Sequence, residues 1–164
     1  MFTERLEVRS PVEGDRRRFV ELFQDPAFME FSAGVEDVAS ANARFDTMLD
    51  TADHVPFAKQ PVIERSSGEI VGYSGAAWFE LEARPRLEFG YRLVPDARGH
   101  GYATEAGRAV LAIAAESFHG ELLAMIDRQN LASKRVIGKL GFAFWKVAAD
   151  PDGYRVEFYR RSFC

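Results

Sequence analysis

The 164-residue chain predicts an α+β (mixed α/β) fold as one domain over residues 1–164. Three observations carry this. A short period-2 segment opens the chain ahead of two helical stretches. The middle is β-rich, with Gly and Ser at its breaks. Towards the C-terminus, helix-period and strand-period segments alternate.

Each element has a local reason. Residues 5–9, "RLEVR", alternate apolar and charged side chains as a half-buried strand does. Next come two possible helix starts. Ser10 with Glu13 makes a capping box, or Asp15 caps the run that ends near Phe23. Val38, Phe45, Met48 and Leu49 share one helical face, so 35–51 reads as an amphipathic helix. "VPFAKQPVIE" and "EIVGYSGAAWF" flank the turn signal "RSSG" and read as a hairpin. Residues 86–94, "RLEFGYRLV", form a further strand, and its internal Gly90 predicts a bulge. A helix then runs to about Phe118 with Ala103, Ala106, Val110, Ala114 and Phe118 as its inward stripe. Residues 121–126, "ELLAMI", read as a central strand. "NLASKRVIGKLGF" is a short helix with Asn130 as cap and Gly141 as its left-handed end. "AFWKVA" and "YRVEFYR" pair around "DPDG". There is no internal repeat and no low-complexity segment.

Bulk properties narrow the function. Hydrophobic residues make up 47% of the chain, including 14 Phe, enough for one core. The formal charge of -4 is spread along the chain, which argues against a nucleic-acid binder with a basic face. The sole cysteine, Cys164, reads as an inert tail thiol, so neither an internal disulfide nor a cysteine metal cluster is expected. His54 and His119 lack ligand-like neighbours in sequence, and no metal is expected. The charged N-terminus is unlike a signal peptide, and "AVLAIAA" at 109–115 is too short to span a bilayer. These features predict a cytoplasmic protein without a membrane partner.

The stretch "PDARGHGYATEAG" at 95–107 carries the chemistry. Glycines ahead of a helix let its unpaired N–H groups approach an anion, and the helix dipole favours negative charge there. Arg98 adds a fork that matches phosphate oxygens. Gly99, Gly101, Tyr102 and Ala103 form a pyrophosphate cradle on this reading, and an ordinary strand-to-helix turn on the other. Pattern alone leaves the two even. The chain has no Gly-Lys-Ser/Thr for a Walker loop. A dinucleotide fingerprint fails at Thr104, where the third glycine would stand.

"RGHGYA" resembles motif A of the GNAT-superfamily acetyltransferases, matching at Arg98, Gly101 and Ala103. The resemblance covers nearly the whole chain. "TERLEVRS" is similar to the first strand of the RimJ/RimL-like branch, and "DPAFMEFSAG" to that branch's segment after helix one. "LEFGYRLVPDARGHGYATEA" resembles strand four leading into motif A. "NLASKRVIGKLGF" resembles motif B. The resemblance implies a central mixed, twisted sheet, split between strands four and five and flanked by helices. Acetyl-CoA would lie in the split as cosubstrate.

By resemblance, Arg98, Gly99, His100, Gly101, Tyr102, Ala103 and Thr104 hold the pyrophosphate. His100 stands where relatives carry Lys, Arg or Gln; a solvent-facing loop residue is its other reading. The backbone of Tyr91, Leu93 and Val94 would pair with the pantetheine arm. Asn130 would hold that arm from the other side, cap its helix, or do both. Glu88 is the candidate base, with a surface role or pairing to Arg86 or Arg92 as its alternative. The family's acid Tyr on the motif B helix is absent, because that position is Ile137. Ser133 is the candidate donor to the leaving thiolate, with an N3 serine as its alternative, and Asp150 is a weaker candidate acid. Phe28, Phe31, Trp78 and Glu80 would line the acceptor side or simply sit in the core.

The resemblance implies an N-acetyltransferase that moves acetyl to a protein N-terminal amine or a small-molecule amine. A non-catalytic CoA-binding sensor of the same fold is the alternative, and a nucleotide-binding domain a third. The family also allows a homodimer.

Overall fold

The computed structural model describes residues 1–32 and 34–164. Its strands are β1 (Leu6–Val8), β2 (Gln60–Glu64), β3 (Ile70–Leu81), β4 (Arg84–Leu93), β5 (Gly120–Ile126), β6 (Ala143–Ala149) and β7 (Arg155–Phe163). They form one sheet in the order β1-β2-β3-β4-β5-β7-β6. The helices are α1 (Arg16–Phe23), α2 (Val38–His54), α3 (Tyr102–Ser117) and α4 (Leu131–Lys139). Every strand pair is antiparallel except β4–β5, which α3 connects as a parallel crossover. The predicted α+β fold with a mixed sheet is the observed one. The segment 25–34 that resembled the family's post-helix stretch is described except at Ala33.

Several elements differ from expectation for local reasons. Ser10 caps nothing. A 3₁₀ turn at Glu13–Asp15 precedes α1, and the Asp15 carboxylate accepts the Val12 N–H at 2.9 Å while gripping Arg9 through both oxygens. Helix α2 starts at Val38 because Asp37 accepts the Ser40 N–H at 2.7 Å. Val38 is therefore first-turn and exposed, and the buried face is Ala41, Phe45, Met48 and Thr51. The β3–β4 hairpin turns on Glu82 and Ala83, both at positive φ, where Asn-Gly is the usual signal. Nothing in "ELEARP" announces that turn. The bulge expected at Gly90 is absent: β3 and β4 stay in register from Gly72↔Leu93 to Leu81↔Arg84, with Gly75 opposite Gly90.

Strand alternation divides β4 between two layers. Leu87, Phe89 and Leu93 face α3 and α4, where they pack with Ala106, Val110, Leu122 and Ile137. The opposite face carries α1 and α2 and a second core of Phe19, Phe23, Phe28, Phe45, Met48 and Tyr73. Burying each of these Phe rings contributes about 2–3 kcal/mol, which is what clamps α1 and α2 to the sheet. Glu88, Gly90 and Arg92 point into this second layer.

Candidate functional site

Strands β4 and β5 pair only at Leu87↔Leu122 and Glu88↔Leu123, although β4 continues to Leu93 and β5 to Ile126. Beyond Glu88 the sheet splits, and among the described residues that edge of β4 has no strand partner. The split opens towards the N-terminus of α3. There Gly99 and Gly101 adopt φ of 80° and 84°, left-handed values that glycine takes without a Cβ clash. Among the described residues, the N–H groups of Gly99, His100, Gly101, Tyr102 and Ala103 have no acceptor; the next two, of Thr104 and Glu105, bond to the Gly101 carbonyl. Successive free N–H groups at the positive end of a 16-residue helix make a concave anion site.

Arg98 is not a free fork. Its Nη1 donates to Glu30 Oε2 at 2.8 Å, its Nη2 to the Ala27 carbonyl at 2.7 Å and its Nε to the Leu93 carbonyl at 3.1 Å. The side chain ties the loop to the segment after α1. Arg5 fixes the other flank. It bonds the His100 carbonyl at 2.8 Å, pairs with Glu105 and lies over the Tyr102 ring. The Tyr102 hydroxyl donates to Glu64 at 2.7 Å. His100 and both glycines face solvent, and Thr104 is half-buried. A cleft beside the loop is lined by Arg5, Gly101, Thr104, Arg108 and Lys139. Its cations come from β1's approach, α3 and α4, so sequence spacing gave no hint of them.

Within the split, the Tyr91 hydroxyl donates to Ser133 Oγ at 3.0 Å, joining β4 to α4. Burial pushes the Tyr91 phenol above its ordinary value, against the pull of Ser133 and Arg98, so it stays protonated at neutral pH. Asn130 is the helix cap: its Oδ1 accepts the Ser133 N–H at 3.0 Å. Its amide nitrogen has no partner among the described residues. Val94 donates its N–H to the Val71 carbonyl, and its own carbonyl accepts the Ala97 N–H. The Leu93 carbonyl holds Arg98. Ile137, at the family's Tyr position, is 1% exposed in the α3-side core.

Glu88 stands where the split begins, half-buried and without an ion pair or hydrogen bond among the described residues. Arg92 reaches Met29 Sδ and Ser32 Oγ instead of Glu88. Burial raises the Glu88 carboxyl above the usual carboxylate range; Lys59, Arg92 and Arg44 pull it back without overcoming burial. Tyr73, opposite Arg92 in register, responds the other way. Burial raises its phenol, but Lys59, Arg92 and Arg44 together bring it below its ordinary value. A cavity of about 120 Å³ lies on this face, lined by Arg44, Thr51, Lys59, Tyr73 and Ala77 among others.

The expected acceptor residues are not brought together. Register places Trp78 opposite Leu87 and Glu80 opposite Pro85, on the other face of the sheet from Glu88. Both are exposed there. Phe28 is core, 1% exposed and packed on Phe23 and Tyr73. Phe31 is exposed. Asp150 is a turn residue whose Oδ1 accepts the N–H groups of Asp152 and Tyr154. Among the described residues no helix is long and apolar enough to cross a membrane, and no group of three or more His, Cys, Asp or Glu could hold a metal ion.

These features define the acyltransferase layout: a split parallel pair, a glycine-rich anion cradle and a carboxylate at the fork. Comparison with known proteins agrees. The family model described as the acetyltransferase (GNAT) domain matches residues 5–143, and the chain belongs to that family. It is 28% identical to the YkkB protein of Bacillus subtilis (strain 168) over 165 residues, covering 99% of this chain and 96% of that one. A Bordetella pertussis structure described as a GNAT-family acetyltransferase superposes with a TM-score of 0.86 at 21% identity, over 99% of this chain and 98% of the other. The acetyltransferase from Agrobacterium tumefaciens str. C58 gives a TM-score of 0.83 at 24% identity, over 98% and 92%. A phosphinothricin acetyltransferase from Sinorhizobium meliloti, solved with acetyl-CoA, gives 0.73 at 19% identity, over 96% and 88%.

Proposed function

We propose that this acetyltransferase, of the RimJ/RimL-like branch, binds acetyl-CoA across residues 88–104 and transfers its acetyl group to a primary amine. The run of free N–H groups at 99–103 beside the unpaired edge of β4 carries the reading. Acetyl-CoA supplies the thioester on which the amine acts. The chain's residues do the rest. Main-chain N–H groups at 99–103 take the pyrophosphate, and Arg5, Arg108 and Lys139 add positive charge around it. The edge of β4 past Glu88 pairs with the pantetheine amides as a neighbouring strand would, and one of its N–H groups donates to the thioester oxygen as charge grows there.

Glu88 accepts the proton that the amine loses as its nitrogen bonds the carbonyl carbon. A carboxyl with a raised pKa suits that role at neutral pH. As the C–S bond breaks, Ser133 donates its proton to the thiolate and takes the Tyr91 proton in turn. This pair stands in for the acid missing at Ile137. Holding both substrates at one fork supplies much of the acceleration.

Calorimetric titration of the folded protein with acetyl-CoA tests the reading. Saturable binding that desulfo-acetyl analogues share, and that adenosine alone does not, is the expected result. Absence of heat at millimolar acetyl-CoA would refute it.

A further inference from the structure

The cavity beneath α2 has an unbalanced charge, and the imbalance names a ligand. The Lys59 side chain makes no ion pair and no hydrogen bond among the described residues, and its ammonium lies 5.2 Å from the Tyr73 ring centroid. Arg92, across the strand pair from Tyr73 and beside the cavity, lies over the Phe28 ring and has no carboxylate partner among the described residues. Arg44 has one carboxylate, Glu36, and stacks on Phe23. The Tyr73 side chain lines the cavity, and its hydroxyl has no hydrogen-bond partner among the described residues. Glu88, across the strand pair from Ala77 of the cavity wall, is a nearby carboxylate without an ion pair among the described residues, and it loses its charge whenever it takes a proton.

Of the two cations that line the recess, Arg44 is paired with Glu36 and Lys59 is not, and an ammonium without a matching anion there is unfavourable unless a ligand supplies the charge. The recess is also in the right place. Ala77, in its wall, is directly opposite Glu88, so the cavity adjoins the base at one strand spacing, about 4.8 Å. A simple ammonium would be repelled here. A molecule with its amine at Glu88 and an anionic group under α2 would satisfy both ends.

We propose that this cavity seats a carboxylate of the acceptor, held by Lys59, Arg44 and the Tyr73 hydroxyl, so that the acceptor is a carboxylate-bearing primary amine. The inference rests on the acetyl-transfer reading and adds the acceptor class to it. At about 120 Å³ the cavity has room for roughly four waters, enough for a carboxylate and a short carbon stem. Either a free amino acid or an acidic first residue of a peptide offers that chemistry.

The test compares glycine with glycinamide, and dipeptides beginning with Asp or Asn, each at equal neutral-amine concentration. Wild type should favour one carboxylate acceptor over its amide about tenfold or more in kcat/KM. Preference for glycine identifies a free amino acid, and preference for the Asp peptide an acidic N-terminus. Lys59→Met should collapse the ratio towards one by raising the carboxylate KM about ten- to hundredfold, with acetyl-CoA affinity retained. Lys59→Gln serves if that variant folds poorly. Equal rates in wild type, a preference that survives both variants, or no acetylation of any of these amines by the acetyl-CoA-bound protein would overturn the proposal. Propionate, which carries no amine, should give saturable NMR shifts at Met48 and Thr51 in wild type and not in Lys59→Met. That measurement needs no cofactor. Loss of acetyl-CoA binding would therefore refute the acyltransfer reading while propionate still decides the cavity, and absence of propionate shifts overturns it.

Discussion

The loop at 98–104 and the cavity beneath α2 both favour anions, yet they are built in opposite ways. In the loop, the cationic side chains are engaged by protein and the backbone donors are free. Arg98 is held by Glu30, Ala27 and Leu93, while the N–H groups of 99–103 have no acceptor among the described residues. In the cavity the backbone is paired within the sheet, and side chains hold the unpaired charge. Lys59 is the clearest case. The difference has a physical consequence. Backbone donors are fixed by chain geometry and suit an invariant ligand such as a pyrophosphate. Long cationic side chains adjust, and suit a ligand that varies from one relative to another.

The comparison can be broken at its backbone. Gly75 has a φ of 148°, and a Cβ there would lie 2.0 Å from the Ala58 carbonyl oxygen. The missing Cβ lets the segment carrying Lys59 lie against β3, where the Lys59 N–H bonds the Ala76 carbonyl. Gly75→Ala should cost about 4 kcal/mol or more, or prevent folding, as read by denaturant unfolding. A midpoint close to wild type would show that the 58–59 segment yields easily and that the cavity is soft.

Glu88→Gln is expected to lower kcat/KM by about 10²- to 10⁴-fold. Its stability effect has the opposite sign. A carboxyl whose folded pKa is raised binds its proton more tightly when folded, so ionisation at neutral pH weakens the fold. Glu88→Gln should therefore be the more stable protein near pH 7. The gap should close as pH falls through the raised folded value, and vanish below the unfolded value of about 4.3. A gap that widens on acidification would mean that the neighbouring cations, not burial, dominate at Glu88.

Arg98→Ala separates the two ways of holding an anion. It removes donors from two carbonyls and from Glu30, and should cost about 1–2 kcal/mol, most of it from the carbonyls, since the ion pair is largely exposed. Acetyl-CoA affinity should fall in step with that loss, by no more than about tenfold. Cofactor binding abolished at unchanged stability would return Arg98 to a direct phosphate role. The smallest effect is expected at Ser133. Ser133→Ala keeps the Asn130 cap, because the bond is to the main chain, and should slow turnover about three- to tenfold with acetyl-CoA affinity unchanged.

The legible parts are those with local causes. Gly99 and Gly101 ahead of a helix-period run marked the cradle, because positive φ and free N–H groups follow from a few adjacent residues. The Asn130 cap and the Gly141 helix end were equally local. The "RSSG" hairpin was visible for the same reason, with Gly68 at a φ of 74°. Trp78 and Glu80 were misplaced because one residue of register moves a side chain to the other face. Gly90 predicted a bulge; what the strand has there is the loss of its β5 neighbour, which no residue of β4 announces. Phe28 was indistinguishable from a site aromatic until the packing of α1 and α2 enclosed it.

By itself, the sequence determined the mixed α/β class, the succession of elements and the glycine turn ahead of α3, since each depends on propensities and φ/ψ demands within a few residues. Tertiary structure alone decided where β4 and β5 part, that Arg98 is tied down, that Tyr91 meets Ser133 across 42 positions and that Lys59 has no ion pair among the described residues. Those are outcomes of packing between distant segments. A charge becomes free or paired only when the fold has settled what stands beside it.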